Sequence, residues 1–266
     1  MKIWLWLVFL CLIALPARAQ DDWRATLSPP QPGKFPPPRP LKAVYRFGWS
    51  GVTAAQAKFD FARVPHGQFR LTMTTQTTGL ARTMWRMDSQ HTAYCQVATL
   101  RPLHLEQTET YKNETKATQA TFTPEYVMRI TRETPQTGPE PKERKLKLPN
   151  VFDLQTGLFF VRSQRMQEGD HYRFVVYPAT SPYLADIEVL GREKVKVASG
   201  TYDAIKCQIR LQGISKQFEL EPHTKFKRAY AWLSDDKDRL LLKIEADIFV
   251  GAVWCELQSV EFDPKP

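Results

Sequence analysis

The sequence predicts a mainly β protein, built as one large curved antiparallel sheet in the form of a half-barrel, an open barrel or a sandwich, with one main helix. Three observations carry this prediction. Apolar and polar residues alternate over most of the chain after residue 40, turn-forming residues separate these runs, and one segment has apolar residues at helical spacing. The number of runs predicts about ten to fourteen strands.

The first 19 residues have the features of a secretory signal peptide. Lys2 supplies a positive charge, residues 3–15 are an unbroken apolar run, and Ala17 and Ala19 are small residues at the positions that signal peptidase reads. The run is too short to span a bilayer, which takes about 20 apolar residues. We therefore expect residues 1–19 to be removed, the mature chain to be exported, and no transmembrane segment to remain.

Residues 20–40 are rich in proline, with seven prolines between positions 29 and 40. Proline removes a backbone donor and fixes the backbone near the polyproline II conformation, so neither a helix nor a central strand is expected here. The segment is predicted to be an extended tether. A single β-rich domain is predicted to follow over residues 41–266.

Strand-like alternation is clearest in three runs. In each run one set of alternate positions is apolar and the other is mostly polar, which predicts one buried and one wet face of a sheet. These runs cover residues 55–61, 69–73 and 240–246, and similar runs occur at 126–130, 172–176, 195–197 and 253–257. Turn-rich sequence between them, such as residues 65–67, 198–200 and 234–238, predicts hairpin connections.

Residues 153–166 break the strand pattern and are predicted to form the main helix. Their apolar positions fall near helical spacing: Leu154, Leu158, Phe159, Val161 and Met166. Asp153 is placed to cap the free amides of the first turn. We expect the helix to lie against the concave side of the sheet. A buried strand over residues 157–161 is the alternative.

The charge of the chain is basic. It has 37 Lys and Arg against 28 Asp and Glu, and removing Lys2 and Arg18 with the signal leaves 35 against 28, or +7. This balance favours an anionic partner, such as lipid head groups or acidic glycans. The basic residues are dispersed and carry no recognised motif, so nucleic acid is not expected as a partner.

Three cysteines, Cys95, Cys207 and Cys255, remain after removal of the signal, and all lie in strand-like runs. Their odd number leaves at least one without an intramolecular partner. Their pairing stays open: three buried free thiols, or one disulfide in an oxidising compartment. No C-x-x-C occurs, which removes the sequence basis for a thioredoxin-like or structural zinc role.

The sequence contains no recognised catalytic motif. The five histidines are scattered without metal-ligand spacing, and there is no G-x-S-x-G or glycine-rich phosphate loop. Asp235, Asp236 and Asp238 lack the glycine and terminal glutamate of a calcium loop, so a hairpin turn is the better interpretation. We expect no enzymatic activity, no cofactor and no metal.

Five short motifs together resemble a family of exported bacterial proteins, domain of unknown function 3108 (DUF3108). They are residues 49–51 (WSG), 153–162, 191–193 (GRE), 200–204 (GTYDA) and 232–236 (WLSDD), and the resemblance extends from about Val44 to Phe262. This chain departs from the family pattern with Thr156 in place of serine and with Gly157 in place of a better helix former. The resemblance implies a bacterial protein of the periplasm or cell envelope with a β-rich fold, and it carries no activity.

Three functions are compatible with these features. The first is a binding module that holds a lipid or another amphipathic envelope component between the curved sheet and the Asp153 helix. Its predicted contacts are Trp49, Trp232, Asp153, Phe159 and Arg162. The second is a structural or protein-interaction module of the envelope without a cavity, whose protein partner is unknown. The third is a hydrolase with an unrecognised site.

Overall fold

The structure is a computed structural model that describes residues 22–134, 142–223 and 228–263. The predicted signal peptide lies outside the described residues. Numbered in chain order, the strands are β1 (Leu41–Trp49), β2 (Val52–Val64), β3 (Gln68–Thr77), β4 (Met87–Gln96), β5 (Pro102–Tyr111), β6 (Glu114–Phe122), β7 (Val127–Thr134), β8 (Lys142–Leu146), β9 (His171–Val176), β10 (Tyr183–Val197), β11 (Gly200–Ile214), β12 (Leu220–Pro222), β13 (Arg228–Ser234), β14 (Leu241–Asp247) and β15 (Ala252–Phe262). The helices are α1 (Gly79–Met84) and α2 (Leu154–Ser163), and a 3-10 helix spans Trp23–Thr26.

All fifteen strands belong to one antiparallel sheet. Its order is β8-β7-β6-β5-β4-β3-β2-β1-β15-β14-β13-β11-β10-β9, with β12 paired to β11. The two end strands, β8 and β9, do not pair with each other, so the sheet is open. The predicted fold class is confirmed as an open, curved sheet, and the sandwich alternative is excluded because there is one sheet instead of two.

The sheet curls until its two arms share a core. Apolar residues of β4 to β7, including Leu105 and Phe122, pack in one buried cluster with Val175 of β9 and Leu184 of β10. These strands stand near opposite ends of the sheet order. The curvature is therefore held by side-chain packing between the arms instead of by a closing hydrogen-bonded ladder.

Helix α2 lies inside this curl, as predicted. The ring of Phe159 meets the ring of Phe61 on β2 edge-on at 5.0 Å, while Phe160 packs with Phe152 and with Phe174 of β9. The strand alternative for residues 157–161 is wrong. Within the described residues, neither helix has the length and apolar character needed to cross a membrane.

Residues 22–40 form a strap on the domain, so the prediction of a tether is wrong for the described part of this segment. Trp23 is buried, and Ser28 exchanges two hydrogen bonds with Arg173 on edge strand β9. Gly33 and Phe35 both donate backbone hydrogen bonds to Ser163, at 2.9 Å to the hydroxyl and 3.1 Å to the carbonyl. The prolines keep the strap extended, and its remaining backbone groups bind the sheet edge and the helix end.

Helix α2 ends at Ser163, three residues before the predicted end at Met166. A helix leaves its last four carbonyls without internal partners, and these carry partial negative charge. Here the carbonyl of Ser163 accepts from Phe35, and the guanidinium of Arg239 donates to the carbonyls of Arg162 and Gln164. Groups distant in sequence thus donate hydrogen bonds to the carbonyls at the end of α2. The spacing of apolar residues within 153–166 cannot indicate these groups.

Candidate functional site

Asp153, one of the five predicted ligand-binding residues, is the N-cap of α2. Its carboxylate accepts from the amides of Gln155 and Thr156, at 2.8 and 3.0 Å, and from the Thr156 hydroxyl at 2.8 Å. The Thr156 hydroxyl in turn accepts from the Asp153 amide, which completes a capping box. Burial raises the pKa of Asp153. Threonine therefore serves here as serine would.

Gly157, the second departure from the family pattern, is explained by packing. A Cβ at this position would lie 2.9 Å from the ring of Phe174. The missing side chain lets α2 approach β9 closely, and the tertiary contact outweighs the low helix propensity of glycine.

Arg162 is buried and holds the strap against a turn. Its guanidinium donates to the Asp238 carbonyl through Nε at 3.0 Å and Nη2 at 2.8 Å, and to the Pro36 carbonyl at 2.7 Å. Arg162 and Arg239 both stack on the ring of Phe35, at 5.1 and 3.6 Å from its centroid. Burial lowers the pKa of Arg162 to about 10. These contacts bind strap, helix and turn together.

Trp232 and Phe159 are also buried with protein partners. The indole of Trp232 donates to the carboxylate of Glu193 at 2.6 Å, and this hydrogen bond lowers the pKa of Glu193. Glu193 also pairs with Lys206 at 3.3 Å, across strands β10 and β11. Phe159 belongs to the same buried cluster as Trp232.

Trp49 lies apart from the other four predicted residues, at the end of β1, and is 48% exposed. The predicted site residues are therefore four interior groups with protein partners and one surface tryptophan. The structure does not bring the five around one opening. Their role as ligand contacts stays a prediction.

Two cavities in the described part of the chain are small. One, of about 150 Å³, lies on β5 to β7 and is lined mainly by polar side chains such as Gln107 and Thr118. The other, of about 230 Å³, lies between β10, β11 and β12 beside Tyr183 and His223. Pockets for drug-sized ligands measure about 300–1,000 Å³ and are mostly apolar. Neither cavity separates α2 from the sheet.

The three cysteines of the described chain are free and buried. Burial raises the pKa of each thiol to about 12. The open question of their pairing is thereby answered in favour of buried thiols that pack as small apolar groups.

The acidic segment at 235–238 is a hairpin turn. One carboxylate oxygen of Asp236 accepts from the Ser234 hydroxyl and from the amides of Asp238 and Arg239, at 2.8 to 3.0 Å. Among the described residues, no group of three His, Cys, Asp or Glu side chains is arranged to hold a metal ion. The interpretation as a turn is confirmed.

One cluster of titratable side chains is a ladder across β9, β10 and β11. His171 contacts Asp186 and Glu188, at 3.4 and 3.9 Å, and Arg210 pairs with Glu188 at 2.6 Å. His171 and Arg210 are about half exposed. The ladder lies on the open face of the strands and pairs charges across them, as exposed strand faces do.

Exposed apolar side chains are concentrated at the turns at one end of consecutive strands, and sequence reasoning missed most of this surface. Among the described residues, nine large apolar side chains are exposed, and eight of them lie at the turns that connect β14 to β15, β1 to β2 and β3 to β4. They are Trp49, Val52, Leu80, Met84, Trp85, Phe249, Val250 and Val253; the ninth, Leu154, is on α2. We call residues 49–52, 78–86, 111–113 and 248–253 the apolar edge.

These four connections are neighbours because the strands that carry them are consecutive in the sheet, from β14 to β6. Hydrogen bonds join them. The indole of Trp49 donates to the Val250 carbonyl at 2.8 Å, and the Lys112 amide donates to the Arg86 carbonyl at 3.1 Å. Trp85 stacks on Tyr111 with ring centroids 5.8 Å apart. The Thr78 amide donates to the carbonyl of Ala54 on β2 at 2.9 Å, which links these two pairs of turns.

The charged residues of the apolar edge are three cations, Arg82, Arg86 and Lys112, and its four segments contain no Asp or Glu. Asp88, just inside β4, pairs with Arg82 at 2.8 Å and Arg86 at 3.6 Å. The hydrogen bond from Arg82 lowers the pKa of Asp88. Two further carboxylates flank the segments: Glu114 follows residue 113, and Asp247, which pairs with Arg228 at 3.0 Å, precedes residue 248. Counting these groups with Asp88, four cations stand against three carboxylates, a formal excess of one positive charge.

A family model described as "Protein of unknown function (DUF3108)" matches residues 44–258. A search of curated proteins found no match. The match spans more than half of the chain and agrees with the resemblance carried by the five motifs.

Solved structures of similar shape include a β-barrel-like protein of the DUF1849 domain from Brucella abortus, with a TM-score of 0.57 and 10% identity over 85% of this chain and 99% of that chain. A candidate exported protein from Bacteroides fragilis has a TM-score of 0.36 and 7% identity over 86% and 99%. A candidate lipoprotein from Parabacteroides distasonis has a TM-score of 0.34 and 10% identity over 87% and 99%. The first of these likenesses shows the fold alone.

Proposed function

The chain belongs to the DUF3108 family of proteins of unknown function, and on that premise we propose that it is an exported, non-enzymatic cell-envelope protein that docks a partner through its apolar edge. The observation that carries the proposal is that, in the part of the chain that the structure describes, eight of the nine exposed large apolar side chains lie at the apolar edge. Large exposed apolar patches on soluble proteins mark surfaces that bind another molecule.

The export part of the proposal is supported by the signal-like residues 1–19, which precede the described chain. The family resemblance points to the same compartment.

External docking is supported better than an enclosed lipid. The space between α2 and the sheet is occupied by buried rings such as Phe61, Phe159 and Phe160. The polar groups of Asp153, Arg162 and Trp232 already bind protein atoms. A lipid held there would have to displace this packing, and ligand sites are usually preformed.

A non-enzymatic role is supported by the surroundings of the titratable groups. The described cluster around His171 is a cross-strand ladder on an open face, and the three described thiols are buried. A catalytic centre needs nucleophile, base and substrate space to converge in one cleft.

The test is the distribution of the full chain between envelope membranes and the soluble fraction of the source bacterium. We expect the unaltered chain to sediment with the envelope. The triple variant Leu80→Ser, Met84→Ser and Phe249→Ser should shift to the soluble fraction, because three exposed apolar contacts are lost.

Leu154→Ser is the matched control, since Leu154 is 56% exposed but lies outside the apolar edge. It should behave as the unaltered chain does. If all three proteins distribute alike, the edge is not the docking surface. Native mass spectrometry of the exported chain should give the mass of the polypeptide alone, and a stoichiometric lipid would favour the enclosed site.

A further inference from the structure

We infer that the partner of the apolar edge is the surface of an anionic lipid bilayer. This inference rests on the docking function proposed above and names the partner of that surface. It is carried by the shape of the edge, by the kinds of side chain on it and by its charge.

The apolar side chains of the edge project as separate points along a row of turns. Phe249 is 90% exposed at the tip of the β14–β15 turn, and Met84 and Leu80, at the end and the start of α1, are 75% and 70% exposed. A folded protein partner would need a matching pocket for each point. A bilayer adapts to all of them, because its head-group region is fluid and its acyl chains accept any apolar shape.

The side-chain types match the layers of a bilayer surface. Trp49, Trp85 and Tyr111 have amphipathic rings of the kind enriched at the level of the head groups. Leu80, Met84 and Phe249 are the purely apolar side chains that such surfaces bury at the boundary of the acyl chains.

The charge of the edge selects an anionic surface. Arg82, Arg86 and Lys112 stand among the apolar points, and one carboxylate, that of Asp88, is paired with two of them. Without Lys2 and Arg18 of the signal the chain has 35 Lys and Arg against 28 Asp and Glu, or +7, which attracts it to a negative surface from a distance.

The edge is ordered before it binds. The β1–β2 and β14–β15 turns are joined by the Trp49 indole and by the Ser50 amide, which donates to the Ala252 carbonyl at 2.9 Å. Within the second turn, the Ile248 amide donates to the Gly251 carbonyl at 3.1 Å. Little conformational entropy is lost on docking, and side chains enter the bilayer while these backbone groups keep their partners.

The experiment is co-sedimentation of the purified exported chain with vesicles of phosphatidylethanolamine, with or without phosphatidylglycerol. We expect binding to the vesicles that contain phosphatidylglycerol, and weaker binding at high salt because salt screens the attraction. Leu80→Ser with Met84→Ser and Phe249→Ser should weaken binding by about tenfold or more. Leu154→Ser should leave it unchanged.

The cationic part is tested separately. Arg86→Gln with Lys112→Gln should weaken binding to phosphatidylglycerol vesicles by about fivefold or more, and should flatten the salt dependence. Binding that is equal for both vesicle types, or unaffected by these substitutions, overturns the anionic selectivity.

Tryptophan quenching by lipids brominated on their acyl chains provides a second measurement. Trp254 is partly buried beside Val253, so the comparison is made in a Trp254→Phe background. There we expect quenching, and its loss on adding Trp49→Phe with Trp85→Phe, because the two remaining tryptophans of the exported chain, Trp23 and Trp232, are buried. If the chain binds neither vesicle type while its sedimentation with the envelope still depends on the edge, the partner is a protein. That outcome overturns this inference and leaves the docking function standing.

Discussion

The interior around α2 and the apolar edge contain similar aromatic side chains, but those of the interior are buried and those of the edge are exposed. In the interior, Trp232 gives its N–H to Glu193 and the aromatic rings are covered by other rings. At the edge, Trp49 binds a neighbouring turn yet stays half exposed, and Phe249 is uncovered. The comparison teaches that the position of an aromatic residue in this fold decides whether its ring is buried. Rings that face the interior around α2 are covered, and rings at the turns of consecutive strands are exposed together.

The largest expected contrast is in thiol reactivity. Cys95, Cys207 and Cys255 should react with a thiol reagent at least about a thousandfold more slowly in the folded exported chain than in denaturant, because reaction requires unfolding that costs about 5–15 kcal/mol. A cysteine placed at the edge by Phe249→Cys should react at once. Fewer than three thiols after denaturation would reveal a disulfide and break the account of the interior.

The second contrast compares one substitution in both regions. Phe159→Ala should lower the free energy of unfolding by about 3–5 kcal/mol, since it opens a cavity beside Phe61. Phe249→Ala should change it by less than about 0.5 kcal/mol. Urea unfolding measures both. Equal losses would mean that the edge is part of the folded core.

The third contrast compares the two helix starts. Asp153→Ala should destabilise the protein by about 1–2 kcal/mol because it removes the capping box of α2. The corresponding Thr78 of α1, at the edge, makes no side-chain cap, so Thr78→Ala should cost less than about 0.5 kcal/mol. Thermal unfolding of both variants at neutral pH decides this, and a larger loss for Thr78→Ala would reverse the assignment.

The smallest expected effect depends on pH. Arg165 holds the pKa of Asp170 down to about 2 from its ordinary 3.8. The stabilisation is therefore present above pH 3.8 and is lost as the pH falls through about 2. Asp170→Asn should lower Tm at neutral pH and have little effect near pH 2. Asp203→Asn, in an exposed pair with Lys194, is the control and should change Tm little at either pH. If Asp170→Asn lowers Tm by the same amount at neutral pH and near pH 2, the stabilisation has no electrostatic cause.

The sequence was sufficient for the fold class and for the start of α2, because alternation and a capping aspartate are local signals. The prediction of a tether was wrong because prolines indicate an extended backbone but do not indicate which parts of the domain that backbone contacts. The predicted end of α2 was also too late, because the Arg239 side chain that terminates it comes from a distant turn.

Most of the apolar edge could not be predicted, because an apolar residue next to a strand looks like a core residue until the sheet order is known. One signal was available. Phe249 and Val250 stand beside Gly251 between two alternating runs, where a connecting turn is ordinarily polar. An apolar turn tip of this kind is a reason to expect a docking surface.

The most direct test of docking through the edge is backbone hydrogen exchange of the exported chain with and without isolated envelope membranes. The account predicts slower exchange in residues 49–52, 78–86, 111–113 and 248–253 when membranes are present, and no change in α2 or in the strands around it. Protection centred on α2 and β9, or protection nowhere, would contradict docking through the apolar edge.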